Sequence, residues 1–569
     1  MYPLNLMNPI WKKPLQLFML LGIWLSSANA AFAAEQINIR YGFLEQSVAV
    51  RELERFISTG EIPIELRPYE FMLTPELRQS LRQGLQLNPD ISPQALEQMW
   101  QSPMGKRLLK VLSKVIPNTN SQELLTTISR ASELPQGLNL INFFRAFPTA
   151  TLTIDAGSIL AVKSQLESYY LKSKTLSPAL ERDLFVSNSP PLPANLDPAA
   201  PGNEKVRVKN LTLKDRWRNR SLALKIYTPA QPQGPLMVML HGLGGNQNAL
   251  AYLARHLASH GFTVVTLHHP DQTALERSSD EFTLGGELYL PTQEFLERPR
   301  DITFMLDQLN HLNRQPGPWQ GQFNTQQVTV IGQSLGGTTA LTLAGAEFDL
   351  ERLRTTCRAI DPIGQSLSDW ALCNATVLPG RHYRLSDPRV SQAILINPVV
   401  GKLFGEQGLA QVKVPTLMIS STADSISPAI LNHLEPFTWL GGTKYLVTAI
   451  GATHLSANDL DNVIGNKRFR VVSERLGEEN KTLQQLVRGV SLAFVQQLTP
   501  EAQRYQPFLT SSYAQALSLP TLPLRLTTKL PETLVQRLDQ VLQTSQIPAV
   551  QPPYPISSPL SRRSVPTTH

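Results

Sequence analysis

One pentapeptide constrains this chain more than any other stretch. Gly332-Gln333-Ser334-Leu335-Gly336 follows the apolar run Val328-Thr329-Val330-Ile331 and precedes a helical segment at residues 338–346. Small residues on both sides of a serine permit a sharp turn from a buried strand into a helix. Such a turn lifts the hydroxyl clear of the sheet and sets it near a helix N-terminus, which favours negative charge. The pattern predicts a nucleophile elbow with Ser334 at its tip, framed by Gly332, Gln333 and Gly336.

A serine hydroxyl needs a base, and elbow sites order their partners as serine, acid, histidine along the chain. The histidines after Ser334 are His382, His433, His454 and His569. His454 sits in Gly451-Ala452-Thr453-His454, directly after the last expected core strand at 445–450, which makes it the candidate base. Asp424 closes the strand-then-turn segment 414–424 and is the candidate acid; Glu435 falls inside the next expected helix and suits the role less well. The oxyanion donors are expected to be the backbone N–H groups of Leu335 and of Leu243, the second in His241-Gly242-Leu243-Gly244-Gly245. Neither G-x-G-x-x-G nor G-x-x-x-x-G-K-[ST] occurs there, so a phosphate cradle is excluded. His241, His268, His269 and the nearby Asp271 read as strand-end structural residues, so no metal and no cofactor is expected.

The flanking chain fits this site. Leu236–Leu240 is a continuous apolar run, as a strand buried on both faces requires. Further strands are expected at 206–213, 222–227, 262–267, 328–331, 393–396, 416–420 and 445–450. Helices at 246–261, 300–312, 338–346 and 483–498 alternate with them. The alternation predicts an α/β domain over residues 204–500, a mostly parallel sheet with helices on both faces.

Residues 35–175 read as a mainly helical domain of unknown role. A strand is expected at 36–41, then a helix at 47–59 stopped by Gly60, and further helix starts at Thr74-Pro75 and Ser92-Pro93. Leu108, Val111, Leu112 and Val115 share one helix face, opposite Lys106, Arg107, Lys110 and Lys114. A basic face of this kind suits peripheral membrane contact, although such apolar stripes more often pack on a neighbouring helix. Prolines at 190, 191, 193, 198 and 201 make residues 176–203 a semi-rigid linker. Residues 501–569 lose the strand–helix rhythm and read as a proline-rich, partly disordered extension with one helix at 533–542.

Residues 1–34 read as a signal peptide. Lys12 and Lys13 precede the apolar run from Leu15 to Leu25, which is too short to span a bilayer comfortably. Ala28-Asn29-Ala30 and Ala31-Phe32-Ala33 both fit the cleavage pattern. Export to the periplasm or envelope follows, and with it an oxidising setting. Two cysteines in 569 residues exclude a disulfide-built scaffold, but Cys357 and Cys373, 16 positions apart, are placed to pair. The net charge of +7, from 52 basic and 45 acidic residues, is mild for a chain this long. No nucleic-acid-binding motif accompanies it, so no nucleic-acid partner is expected.

With these residues assembled, residues 204–500 resemble the alpha/beta hydrolases, and the resemblance implies the alpha/beta-hydrolase fold. The branch is similar to dienelactone hydrolases, plasma-type platelet-activating-factor acetylhydrolases and bacterial cutinase-like polyester hydrolases. His241-Gly242-Leu243-Gly244 and Leu257-Ala258-Ser259-His260-Gly261-Phe262 resemble the acetylhydrolases. The acid of those enzymes would fall just after Ile396, where this chain has Asn397. Asp424-Ser425-Ile426-Ser427-Pro428, with the Gly451–His454 segment, is closer to the cutinase-like pattern and supports Asp424 and His454. Tyr41-Gly42-Phe43 and Val48-Ala49-Val50-Arg51-Glu52-Leu53 resemble exported cyanobacterial hydrolases whose N-terminal helical domain has no assigned function.

The expected activity is secreted serine hydrolysis of carboxylic esters, lipid or small-acyl, through an acyl-enzyme. An acyltransferase with the same triad and a non-catalytic envelope protein binding lipid or glycan are the alternatives. Two insertions, residues 271–297 and 347–388, are expected to shape the pocket.

Overall fold

The computed structural model describes residues 34–72, 100–135, 139–188, 190–270, 290–359, 366–459, 474–475 and 477–543. The expected leader, the helix starts at Thr74 and Ser92, most of the first insertion and the proline-rich end lie outside the described residues.

The N-terminal unit is built on three strands. β1 (Gln36–Tyr41) pairs antiparallel with β2 (Leu44–Ala49) and parallel with β3 (Thr151–Asp155). The helix expected from residue 47 starts later, at Val50, and ends at Gly60 with φ 82°. Leu44–Ala49 is drawn into a ladder instead, because that register sets Val48 opposite Ile37 and buries both completely. Helices Pro103–Val115, Ser121–Glu133 and Leu140–Arg145 pack Leu109, Leu124, Ile128 and Phe144 onto Ile37 and Leu152. Asn120 and Glu123 form a capping box at the start of the second of these helices. Leu108, Leu112 and Val115 lie against this core, and Val111 packs on Trp370 of the larger unit. That apolar stripe is therefore covered by protein.

The boundary expected at residue 175 falls inside a helix. Ser168–Asp183 is continuous, and Leu176, Ala179 and Leu180, spaced three and one apart, bury into the core of the larger unit. Residues 176–183 are thus a packed helix, and the proline-rich run begins only beyond them.

The larger unit holds one sheet of nine strands. These are β4 (Arg207–Asp215), β5 (Arg220–Thr228), β6 (Leu236–Leu240), β7 (Val264–His268), β8 (Val328–Gln333), β11 (Val390–Ile396), β12 (Thr416–Ser421), β13 (Lys444–Ala449) and β14 (Leu524–Thr527). A short separate ribbon, β9 (Phe348–Asp349) with β10 (His382–Tyr383), lies in the second insertion. The order across the sheet is β14-β13-β12-β11-β8-β6-β7-β5-β4. The six strands from β13 to β7 are parallel, and β14, β5 and β4 add antiparallel edges.

Both faces are covered, as continuous apolar strands demand. Leu236, Val238 and Leu240 of β6 join one core with Ile302, Met305 and Leu341. Met237 and Met239 join the other with Leu253, Leu257, Leu486 and Val490. This is the α/β architecture with helices on both faces.

β14 departs from the expectation of a sheet whose last strand ends at residue 450. Leu524–Thr527 pairs with β13 from Ala449↔Leu524 to Leu446↔Thr527. The helix Glu532–Gln543 then buries Leu534 and Leu538. Residues 501–543 thus complete the folded unit, because an apolar edge strand such as β13 needs cover. Cys357 and Cys373 form a disulfide within the second insertion.

Candidate active site

The fold sets Ser334 at the carboxyl end of β8, between the strand and the helix Leu335–Leu343. Its backbone is strained, at φ 56° and ψ −123°, a conformation that costs on the order of 1–3 kcal/mol and is held only where the surroundings enforce it. The flanking glycines have no substitute. A Cβ on Gly332 would stand 2.1 Å from the Gly336 carbonyl oxygen, and one on Gly336 2.2 Å from that of Leu240.

The three residues singled out from the sequence meet there. His454 Nε2 lies 2.9 Å from Ser334 Oγ, and His454 Nδ1 lies 2.6 Å from Asp424 Oδ2. Asp424 is fully buried, His454 is 3% exposed and Ser334 retains 7%. Asp424 follows β12 and His454 follows β13, so both loops leave the same end of the sheet as the elbow. Burial alone would raise the Asp424 carboxyl, but the charge and hydrogen bond of His454, with His433 and the Ser427 N–H, hold it below its ordinary value. Burial likewise opposes the charged His454 ring, yet Asp424 and the more distant Glu474 outweigh it and raise the imidazole. His382 and His433 stand apart from this line: His382 is in β10, and buried His433 bonds Ser420 Oγ and is pushed down to about 4, chiefly by burial.

Sequence comparisons bear on the fold and the family it belongs to. Residues 33–155 match a family described as an alpha/beta hydrolase of unknown function, and residues 235–354 match the alpha/beta hydrolase fold family. The chain has the alpha/beta-hydrolase fold, and both matches support kinship with that superfamily. It is similar to cutinase 2 of Thermobifida cellulosilytica, 25% identical over 227 residues, which is 39% of this chain and 62% of that enzyme. It is equally similar to the cutinase cut1 of Thermobifida fusca, where 227 residues at 25% identity cover 39% of this chain and 50% of the relative. The match thus spans less than two thirds of either cutinase.

Among the described residues, two N–H groups near the serine have no acceptor. Leu335 opens its helix, so its N–H has no helical acceptor. Leu243 follows Gly242, whose added Cβ would meet Ser334 Cβ at 2.8 Å. His241 Nδ1 lies 2.8 Å from the Gly242 carbonyl oxygen, and the His269 N–H donates to His241 Nε2 at 3.4 Å. In a trans peptide the carbonyl and the next N–H point oppositely. Fixing the Gly242 carbonyl therefore fixes the direction of the Leu243 N–H. Burial, then the neighbouring His269 and Arg298, keep His241 well below the ordinary imidazole value, so it stays neutral in this role.

Residues that sequence reasoning missed hold the triad from behind. Ser427 Oγ donates to Asp424 Oδ2 at 2.8 Å, and the N–H groups of Ile426 and Ser427 donate to Oδ1. Asn397, noted in the sequence only for not being an acid, ties two loops together. Its Nδ2 donates to the His454 carbonyl at 2.9 Å, and its Oδ1 accepts from the Ser421 N–H at 2.8 Å. Its position at the end of a core strand was the signal available. Glu474 had none. Its Oε2 accepts from Thr453 Oγ1 at 2.5 Å and from the Leu455 N–H at 3.0 Å, gripping His454 from both chain neighbours.

Proposed function

We propose that this chain is an exported serine hydrolase of carboxylic esters, lipid or small-acyl, working through a Ser334–His454–Asp424 triad. The observation that carries the reading is the unbroken line from Ser334 Oγ to His454 Nε2 at 2.9 Å and from His454 Nδ1 to Asp424 Oδ2 at 2.6 Å. The similarity to two cutinases supports the ester class. The Cys357–Cys373 disulfide fits an oxidising compartment, and among the described residues no helix is long and apolar enough to cross a membrane.

Each group has a defined task. Asp424 fixes the tautomer that carries the proton on Nδ1, which leaves Nε2 free to accept from Ser334. Ser334 attacks the ester carbonyl as His454 takes its proton, and the N–H groups of Leu335 and Leu243 receive the oxyanion. His454 then protonates the departing alcohol, and the acyl group stays on Ser334. Water attacks the acyl-enzyme with His454 again as base, releasing the acid and restoring the serine.

A fluorophosphonate probe with a panel of p-nitrophenyl esters tests this. Wild type is expected to label and turn over, and a folded Ser334→Ala variant to do neither. Absence of labelling in folded wild type would refute the reading.

A further inference from the structure

The hairpin of β4 and β5 carries an unused surface. Its turn presents Trp217 at 99% exposure. The turn is rigid: Asp215 Oδ1 accepts from the N–H groups of Trp217 and Arg218, and Asp215 Oδ2 pairs with the Arg218 guanidinium at 2.7 Å. Arg220 is locked to Asp301 and Glu294. The indole is thus held out in water by a built turn, a placement that folding alone does not explain.

Charge flanks it. Lys214 and Arg216 are exposed on either side of the turn entrance and make no ion pair among the described residues, and exposed Lys209 lies further along β4, over the Trp319 ring. Lys205 and Arg207 stand at the other end of the hairpin, where Arg207 pairs with Thr228.

The hairpin also points the right way. Ala223 of β5 pairs with His268, the last residue of β7, so the β4–β5 turn extends beyond the carboxyl end of the parallel strands. That is the end where Ser334, Asp424 and His454 lie. β4 is four strands from β8, or about 19 Å across the sheet.

We propose that this hairpin docks the protein onto an anionic lipid surface, with Trp217 in the headgroup layer and the cations against its charge, and delivers esters from that surface to the site. The last clause rests on the ester-hydrolase reading; the docking does not. An exposed tryptophan flanked by basic side chains is the chemistry of a bilayer interface. A second copy pairing antiparallel along the free β4 edge would set these cations against one another, which opposes it.

Flotation of the full chain tests the proposal, with phosphatidylcholine vesicles containing phosphatidylglycerol compared with phosphatidylcholine alone. Wild type is expected to prefer the anionic vesicles, and raised salt to remove the preference. Lys214→Glu with Arg216→Glu, and separately Trp217→Ser, are expected to weaken anionic binding about tenfold or more. Both should leave turnover of a soluble p-nitrophenyl ester unchanged while slowing hydrolysis of an ester embedded in anionic vesicles. Equal binding to both vesicle types, or variants that bind as wild type, would overturn the proposal. So would tighter binding to duplex DNA that Trp217→Ser leaves intact, or a dimer in solution that the charge reversals strengthen. If docking and its loss in the variants persist while the soluble ester is untouched, the hydrolase reading fails and the docking stands.

Discussion

Two carboxylates, buried Asp424 and half-buried Glu474, act on His454 in different ways. Asp424 bonds the ring, and Glu474 bonds the chain on either side of it. Asp424→Asn keeps the shape but lets the ring adopt the wrong tautomer, so kcat is expected to fall on the order of 10⁴-fold in a steady-state assay. The raised imidazole sets the acid limb of the pH profile. Protonated His454 cannot accept from Ser334, so kcat/KM should fall with decreasing pH through a midpoint above the ordinary imidazole value. Burial raises the Glu474 carboxyl, and its charge in turn favours the imidazolium; among the described residues Arg475, Asp424 and His433 are the other charged or titratable groups around this loop. Glu474→Gln keeps an acceptor for Thr453 and Leu455 but removes the charge. It should move the acid limb to lower pH with little change in the plateau. Glu474→Ala should also lower the plateau about tenfold, the cost of losing hydrogen bonds to a charged group. An unshifted limb in the glutamine variant would remove Glu474 from the electrostatics of the site.

Elements supply what single residues cannot. The second insertion is closed by Cys357–Cys373 and reaches the acid loop, where the Ser368 N–H donates to the Ile426 carbonyl at 3.0 Å. A bridge across 16 positions stabilises by about 3 kcal/mol, so Cys357→Ser with Cys373→Ser should lower Tm by roughly 5–10 °C in thermal unfolding. At the sheet edge, β14 covers β13, the strand that delivers His454. A chain ending at residue 500 loses buried Phe508, Tyr513, Leu524 and Leu526 and bares that edge. It should aggregate on expression, visible as loss of soluble protein.

The helix Ser168–Asp183 is fastened to the acid loop and the sheet edge. Ser177 Oγ donates to Thr422 Oγ1 at 2.9 Å, the Ile430 N–H donates to Ser173 Oγ at 3.1 Å, and Arg525 Nε donates to the Glu181 carbonyl. The helix Ser168–Asp183 thus belongs energetically to the sheet unit. A chain beginning at residue 184 should be markedly less stable than one beginning at residue 167, as denaturant titration would show, because only the longer one keeps Leu176 and Leu180 in the core.

What the sequence determined by itself was local. The elbow, the apolar strands and the order Ser334, Asp424, His454 all rest on neighbouring residues and strand periodicity, which a one-dimensional reading carries. Tertiary structure alone decided that Asn397 would tie the acid and histidine loops together and that Glu474 would grip the histidine loop. It alone decided that Leu524–Thr527 would close the sheet and that a helix read partly as linker would pack on it. Each of these depends on partners far apart in the chain. A polar side chain or a short strand shows no period of its own, and it acquires a role only when burial removes water and leaves one hydrogen-bond partner within reach.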